Sequence, residues 1–547
     1  MLWKWYNRFS CVDGFYGGII NLIQRKTQTS SYWADYAVKP EDLQYLSTLL
    51  VEDELPRSTE ELSHALVLHI ARQEEALIDR ALSEGTPYRP KRSLEVGERV
   101  VFPALEYRAG EVVNVRPGHN PEYDAFKVVK VAFEGGEERE FAAEFEDGHP
   151  LNEKVDTAAD ADDLLTPEEL ASAYAPQLQD RLEERLELEP DFIRLADQWF
   201  RRDLLVEVHE GHLNLAEAVL DVAGGGPLPT EALLGDVELP EEISPQLRVF
   251  SLNYALQQDP RFDEVGPSGE VLWYLQRLEP EAIRSTPIYL QYEPLAYEPP
   301  LLTSEMRSLE RELDDEWSDL ETPKKFSEPV EIVLIYPHWR SGSLPLSSRL
   351  LPVFPSASTE RIRFTFVDSD TGEEMPGWVV QDGRYVYGLK EWYQKNGIPV
   401  GAYLEVAQGE HRERITVRPR NRRSRREWVR VASRREDRLV FEMHKEEIAC
   451  DYDELRVIAT DDLKDLEKLW SRARRATRPL EKVVADVFPE LVKLSPQGNV
   501  HAATLYSAVN VMMRTPPGPM LEVLVTSDKY APVGDNYWVL HGGPTGA

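Results

Sequence analysis

Cysteine is nearly missing from this chain: Cys11 and Cys450 are the only two in 547 residues. A disulfide framework and a cysteine-built zinc cage are excluded on count, and a reducing compartment fits. No run of about 18 uncharged apolar residues occurs, so no membrane span or membrane partner is expected. Positive charge is scarce too: 62 Lys and Arg stand against 97 Asp and Glu, a formal net charge of −35. A uniformly basic nucleic-acid coat is therefore excluded, whereas a local basic patch is not. Catalytic signatures are also lacking. There is no Gly-x-Ser-x-Gly, and Gly224-Gly-Gly226-Pro lacks the Lys-Ser/Thr of a phosphate loop. His209 and His212 stand three apart with no third ligand near them in sequence. Asp368-Ser-Asp370-Thr-Gly-Glu-Glu374 has the chemistry of a hairpin turn and not the spacing of a calcium loop. The expectation is a protein that is not an enzyme and holds no metal or cofactor, with a cryptic nuclease as the alternative.

Hydrophobic residues make up 42% and aromatics 10%, enough to build several packed cores. At about 150 residues per domain, the length suggests three or four domains. Met1 to Ile23 carries Lys4 and Arg8 before an apolar run, but Asp13 interrupts it and no small-residue cleavage site follows. This reads as a cytoplasmic start and not a signal peptide.

Along the chain, residues 1–90 read as helical, with Ser58-Thr-Glu-Glu61 as a capping box before Leu62, Leu66 and Ile70. Residues 91–152 switch to short strands, among them Val100-Val-Phe102 and Phe126 to Phe133, punctuated by Gly97, Gly110, Gly135 and Gly136. Val96-Gly97-Glu-Arg-Val-Val followed by Gly110-Glu-Val-Val-Asn-Val resembles the opening of SH3-like and Tudor-like barrels. Residues 134–200 hold 21 acidic against 5 basic residues. This is either a solubilising face or a site for a basic partner, and 153–212 is expected to be an acidic helical linker. Residues 281–327 are a charged helix and linker. Residues 328–420 alternate like strands around a short aromatic helix, and Gly397-Ile-Pro-Val-Gly-Ala-Tyr-Leu-Glu-Val406 resembles the pseudobarrel of B3-type domains.

Two further segments share a closing pattern. Residues 213–280 place Leu215, Ala218, Val219 and Val222 on one helical face, and end in Phe262-x-x-Val265-Gly266 with Trp273-Tyr-Leu275. Residues 479–547 end in Tyr530-x-x-Val533-Gly534 with Trp538-Val-Leu540. Both resemble winged-helix modules of the kind attached to the bacterial RNA polymerase delta subunit. The resemblance implies a fold and a bias toward transcription or genome maintenance, not a target. The expected fold class is α+β and multidomain, with two small β barrels and two winged-helix modules joined by helical linkers.

The strongest charge signal runs from His411 to Arg438. Twelve arginines face four acidic residues there, with Trp428 among them. Residues 421–478 form a basic connector. The expected phosphate contacts are Arg412, Arg414, Arg418, Arg420, Arg422, Arg423, Arg425, Arg426 and Arg430, joined by Arg472, Arg474, Arg475 and Arg478 on the following helix. Asn499 to Arg514 is expected to be a recognition helix. At 100° per residue, Leu505, Val509, Met512 and Met513 fall on one arc, and Thr504, Ser507, Asn510 and Arg514 on the other, facing base edges. The function this implies is non-enzymatic binding of DNA or RNA, with RNA polymerase or another protein as a further partner. The alternative is a protein-interaction scaffold whose basic tract pairs with acidic surface, including the chain's own.

Overall fold

The computed structural model describes residues 25–541 except 106, 120–124, 147–151, 153–163, 196, 241, 324–327, 437, 457–458, 461–462 and 476–477. The N-terminal reading of Met1 to Ile23 and the acidic segment Asp156–Asp163 lie outside the described residues. The protein is α+β, with six separate sheets among the described residues. It divides into two compact units, one of residues 1–206 with 241–250, the other of 207–240 with 251–547. No helix among the described residues is long and apolar enough to cross a membrane.

The first unit begins with α1 (Ser30–Ala34), α2 (Pro40–Asp53) and β1 (Arg57–Ser58). The Ser58 hydroxyl accepts from the Glu61 amide at 3.1 Å, and the Glu61 carboxylate accepts from the Ser58 amide at 2.8 Å. That box starts α3 (Thr59–Glu84). There follow β2 (Thr86–Pro87), β3 (Arg99–Phe102), β4 (Arg108–Pro117), β5 (Lys127–Phe133) and β6 (Glu138–Ala143), hydrogen-bonded in that order. Alternating apolar residues Val100, Phe102, Val112, Val129, Val131 and Phe133 form their core.

Next, α4 (Pro167–Glu187) returns along α3, burying Leu170, Leu178, Leu182 and Leu186. The hairpin β7 (Phe192–Leu195) and β8 (Gln198–Arg201) closes the unit, with β8 paired to β1. The expected linker helix is therefore a core helix. Its acidic residues form the outer face, while a leucine row at helical spacing packs on α3.

The second unit opens with α5 (Glu210–Val222), β9 (Leu228–Pro229) and α6 (Thr230–Leu234). Then come α7 (Pro245–Gln258), whose residues up to Phe250 are counted with the first unit, and the hairpin β10 (Phe262–Glu264) and β11 (Leu272–Leu275). Short α8 (Glu281–Arg284) and α9 (Ser304–Leu313) lead to β12 (Val330–Val333), α10 (Tyr336–Ser341), β13 (Ser343–Pro345), β14 (Arg361–Asp368), β15 (Glu374–Val380), β16 (Tyr385–Tyr387), α11 (Lys390–Lys395), β17 (Tyr403–Gln408) and β18 (Arg414–Pro419). These seven strands make one sheet in the order β12-β17-β18-β14-β15-β16-β13, with β14 and β18 parallel.

A long ribbon follows, β19 (Arg425–Arg435) against β20 (Arg438–Ile448), with β21 (Ala459–Thr460) beside β19. The chain ends in α12 (Leu463–Arg475), α13 (Leu480–Val492), β22 (Asn499–His501), α14 (Ala502–Val509), α15 (Pro517–Thr526) and the hairpin β23 (Tyr530–Gly534) and β24 (Tyr537–Leu540).

One arrangement occurs three times: helix, short strand, helix, helix, hairpin. Its copies are α2-β1-α3-α4-β7-β8, α5-β9-α6-α7-β10-β11 and α13-β22-α14-α15-β23-β24. In each, the short strand pairs with the second hairpin strand, and a tryptophan holds one register: Trp199 opposite Arg57, Trp273 opposite Leu228, Trp538 opposite Val500. Leu62, Leu233 and Leu505 occupy matching positions in the helix after the short strand, each with 0% exposure. The first copy escapes sequence comparison because the five-stranded sheet is inserted between its second and third helices.

Candidate nucleic-acid interface

The arginine tract spans β18, the loop 420–424 and β19, and the protein's own carboxylates hold most of it. Arg414 meets Glu374, Arg418 meets Glu405, and Arg420 lies between Glu331 at 2.8 Å and Asp451 at 3.4 Å. Arg422 reaches Asp368 at 2.6 Å and Asp370 at 2.9 Å. Arg425 is within 3.4 Å of Asp451, and Arg434 within 3.6 Å of Asp465. Arg430 donates to the Glu454 carbonyl. On the following segment, Arg478 pairs with Asp486 at 2.5 Å and Arg474 donates to the Gln291 side chain. Arg472 is exposed but not free, and the Arg475 side chain lies outside the described residues. The expectation of a tract uniformly open to phosphate is thus corrected. Alternating strands place an acidic residue within reach of most of these guanidinium groups, which a one-dimensional charge count does not register.

A second correction concerns Thr504, Ser507, Asn510 and Arg514. The structure buries all four, at 4%, 0%, 0% and 2% exposure. Residues 499–501 are a strand, and α14 ends at Val509, so no single helix spans 499–514. Arg514 reaches Asp315 and Glu316, each at 2.7 Å, while Tyr506 donates to Asp315 and His338 meets Glu316 at 3.1 Å. Burial pushes the Asp315 carboxyl up against the pull of Arg514. Burial alone would also raise Glu316, but Arg514 and His338 outweigh it and hold that carboxyl low.

The helix preceding the hairpin is α15, and its own chain covers it. A Cβ added at Gly518 would meet the Tyr297 ring at 2.4 Å, and the Glu298 amide donates to Glu522 at 2.7 Å. The corresponding helix of the first copy, α4, carries Glu168, Glu169, Asp180, Glu183, Glu184 and Glu187, so it repels phosphate.

Some cations remain open. Among the candidates Arg412, Arg423 and Arg426 are exposed and make no ion pair among the described residues, as are Arg438 and Lys445, which the candidate set omits. The ribbon explains why. Side chains alternate along each strand, so Arg426, Trp428 and Arg430 share a face with Glu447, Lys445 and Met443 directly opposite them. Toward the turn this face enters the core through Ala432, Leu439 and Phe441. Toward the other end it is open: Trp428 is 63% and Met443 40% exposed. The reverse face packs Val429, Val431 and Ile448 against Tyr452. The period-2 spacing of Arg426 and Trp428 was the available signal, but Lys445 is visible only through the register.

The weaker candidates have local partners. His209 and His212 stack on each other with ring centroids 3.6 Å apart. Asp368 accepts from the amides of Asp370 and Thr371 and from the Trp392 indole, which fixes the turn. Among the described residues no group of three His, Cys, Asp or Glu is placed to hold a metal ion. Comparison with known proteins finds no matching family model, no matching curated protein and no matching solved structure.

Proposed function

We propose that the protein binds nucleic acid through the open face of the β19–β20 ribbon, and that its three repeated units are winged-helix modules serving as framework and not as groove readers. The observation that carries this is the placement of Arg426 and Lys445, which make no ion pair among the described residues, beside exposed Trp428 on one ribbon face, in a chain of net charge −35. Cations that outnumber the carboxylate Glu447 opposite them, on an anionic protein, favour an external polyanion. Arg423, three residues before Arg426, adds a further open guanidinium. On this reading the phosphate contacts at the ribbon come from Arg423, Arg426 and Lys445, Arg412 being an open cation on the β17–β18 turn outside that face, and the work lies in transcription or genome maintenance.

The experiment is fluorescence anisotropy of labelled DNA and RNA with the full chain at low salt. The Arg423→Ala/Arg426→Ala/Lys445→Ala chain is expected to lose tenfold or more in affinity. The Arg418→Ala/Arg420→Ala chain, which removes cations already paired, is expected to change little. Equal losses in both chains would refute the assignment to the ribbon face.

A second reading, a scaffold for RNA polymerase or another protein, is favoured by α5. Ala216 and Leu220 are its buried residues, whereas Leu215 is 45% and Val222 92% exposed. The apolar face of Leu215, Ala218, Val219 and Val222 read from the sequence is thus largely exposed, and an exposed apolar arc suits a protein partner. Under this reading the triple variant keeps its partner.

A further inference from the structure

We infer that Trp428 is a stacking platform for an unpaired base, which makes the substrate of this face single-stranded DNA or RNA; the inference rests on the proposed nucleic-acid reading and names its substrate class. The indole is 63% exposed although it lies in the interior of an 11-residue strand. Among the described residues no ring stacks on it and no guanidinium covers it. Lys445 stands directly across the ribbon, Arg426 two residues before it on the same face, and Met443 extends the apolar surface on the opposite strand. Glu447, opposite Arg426, is the carboxylate that the two strands themselves place on this open face, and the Ser424 hydroxyl donates to it; the charges of Asp453 and Glu454 act on Arg430, nearer the core.

The platform is rigid. Its reverse side is the Val429, Val431, Ile448 and Tyr452 cluster, and its far end is anchored by Ala432, Leu439 and Phe441. Arg430, next on the same face, is tied to the Glu454 carbonyl and braces the strand. A fixed indole between cations offers one π-face for a base and two charges for its flanking phosphates, and every base has a π-face to give. In a duplex those faces are already stacked on neighbouring pairs, so the same indole gains nothing from paired bases. A protein partner would use an exposed Trp as an anchor, but two cations around it that make no ion pair among the described residues favour the polyanion.

The experiment uses the full chain with fluorescein-labelled oligo-dT and oligo-rU 15-mers and a 15-base-pair duplex, in about 50 mM salt. Wild type is expected to bind a single strand about tenfold or more tighter than the duplex. Trp428→Ala is expected to lose about tenfold or more on single strands, Trp428→Phe about threefold or less, and neither to change duplex binding. Unchanged melting of both variants confirms that they fold. Equal loss on duplex and single strand, or no loss in Trp428→Ala, overturns the stacking inference; the nucleic-acid reading then stands or falls separately on the Arg423→Ala/Arg426→Ala/Lys445→Ala chain. If wild type binds none of the three oligomers, both are overturned, and Trp428-dependent binding of an acidic peptide would assign the face to a protein.

Discussion

Arg514 and Asp315 meet at 2.7 Å with both side chains fully buried, and they lie 199 residues apart in the chain. Glu316, equally buried, takes a second bond from the same guanidinium. The contact ties the segment after α9 to the segment after α14. Arg514→Met keeps an apolar stem in place of the arginine stem but leaves two carboxylates in the core without their cation. Removing one partner of a buried ion pair costs about 3–5 kcal/mol. The expected result is a clearly lowered urea midpoint, with nucleic-acid affinity unchanged at denaturant concentrations where the chain is still folded. A variant that stays stable yet loses binding would restore Arg514 as a contact residue.

The three repeats differ in how they satisfy the tryptophan. Trp199 donates to the Thr59 hydroxyl at 2.9 Å. Trp273 donates to Thr230 at 3.2 Å and to the Asn253 side chain at 2.8 Å. In the third copy Ala502 takes the threonine position. Thr59→Val therefore leaves a buried indole N–H without an acceptor, at a cost of about 1–3 kcal/mol. Thr230→Val should cost less, because Asn253 still accepts. Thermal melts of the two single variants compare these directly, and a larger loss at Thr230 would refute the ranking.

Local chemistry made much of the fold legible. The Ser58–Glu61 box, the period-2 strands of 95–143 and the Trp-Leu endings of the two later hairpins are all properties of neighbouring residues, and they form as the pattern requires. What could not be read depends on distant partners. α5 has two apolar arcs, and which one turns inward is decided by what else packs there. α14 has one apolar and one polar arc, and the Asp315–Glu316 segment buries the polar arc as well. The first repeat is split by an inserted sheet, so its helices α3 and α4 look unrelated. The arginine tract showed its charge correctly, but the clamping carboxylates come from β12, β14, β15, β17, the turn after β14, Asp451 after β20 and Asp465 on α12, which no local pattern links to the arginines.

Glu279 predicts a pH dependence of stability. Its side chain is buried with one oxygen lacking a hydrogen bond, and Arg361 divides its charge between Glu279 at 3.1 Å and Asp263 at 2.8 Å. Burial first, then the neighbouring Asp263, push the Glu279 carboxyl up to about 8 from an ordinary 4.5. Between those values the folded chain holds a proton that the unfolded chain has lost, so stability falls as pH rises through this window. Glu279→Gln removes that proton exchange. Its midpoint should vary less between about pH 5 and 8 than that of wild type, and parallel profiles would show that another group carries the dependence.

The count of open cations limits the salt dependence of binding. If every arginine from Arg412 to Arg438 met a phosphate, the slope of log affinity against log salt would be steep. With most of them paired internally, Arg412, Arg423, Arg426, Arg438 and Lys445 remain. Each phosphate neutralised contributes about −0.7 on single strands, so the slope should be no steeper than about −3.5. Lys445→Ala should flatten it by one such step, while Arg418→Ala, whose guanidinium is already neutralised by Glu405, should leave it unchanged. Anisotropy titrations at four or five salt concentrations measure this. A slope near −7 would mean that the internal clamps open on binding and release their arginines to the ligand.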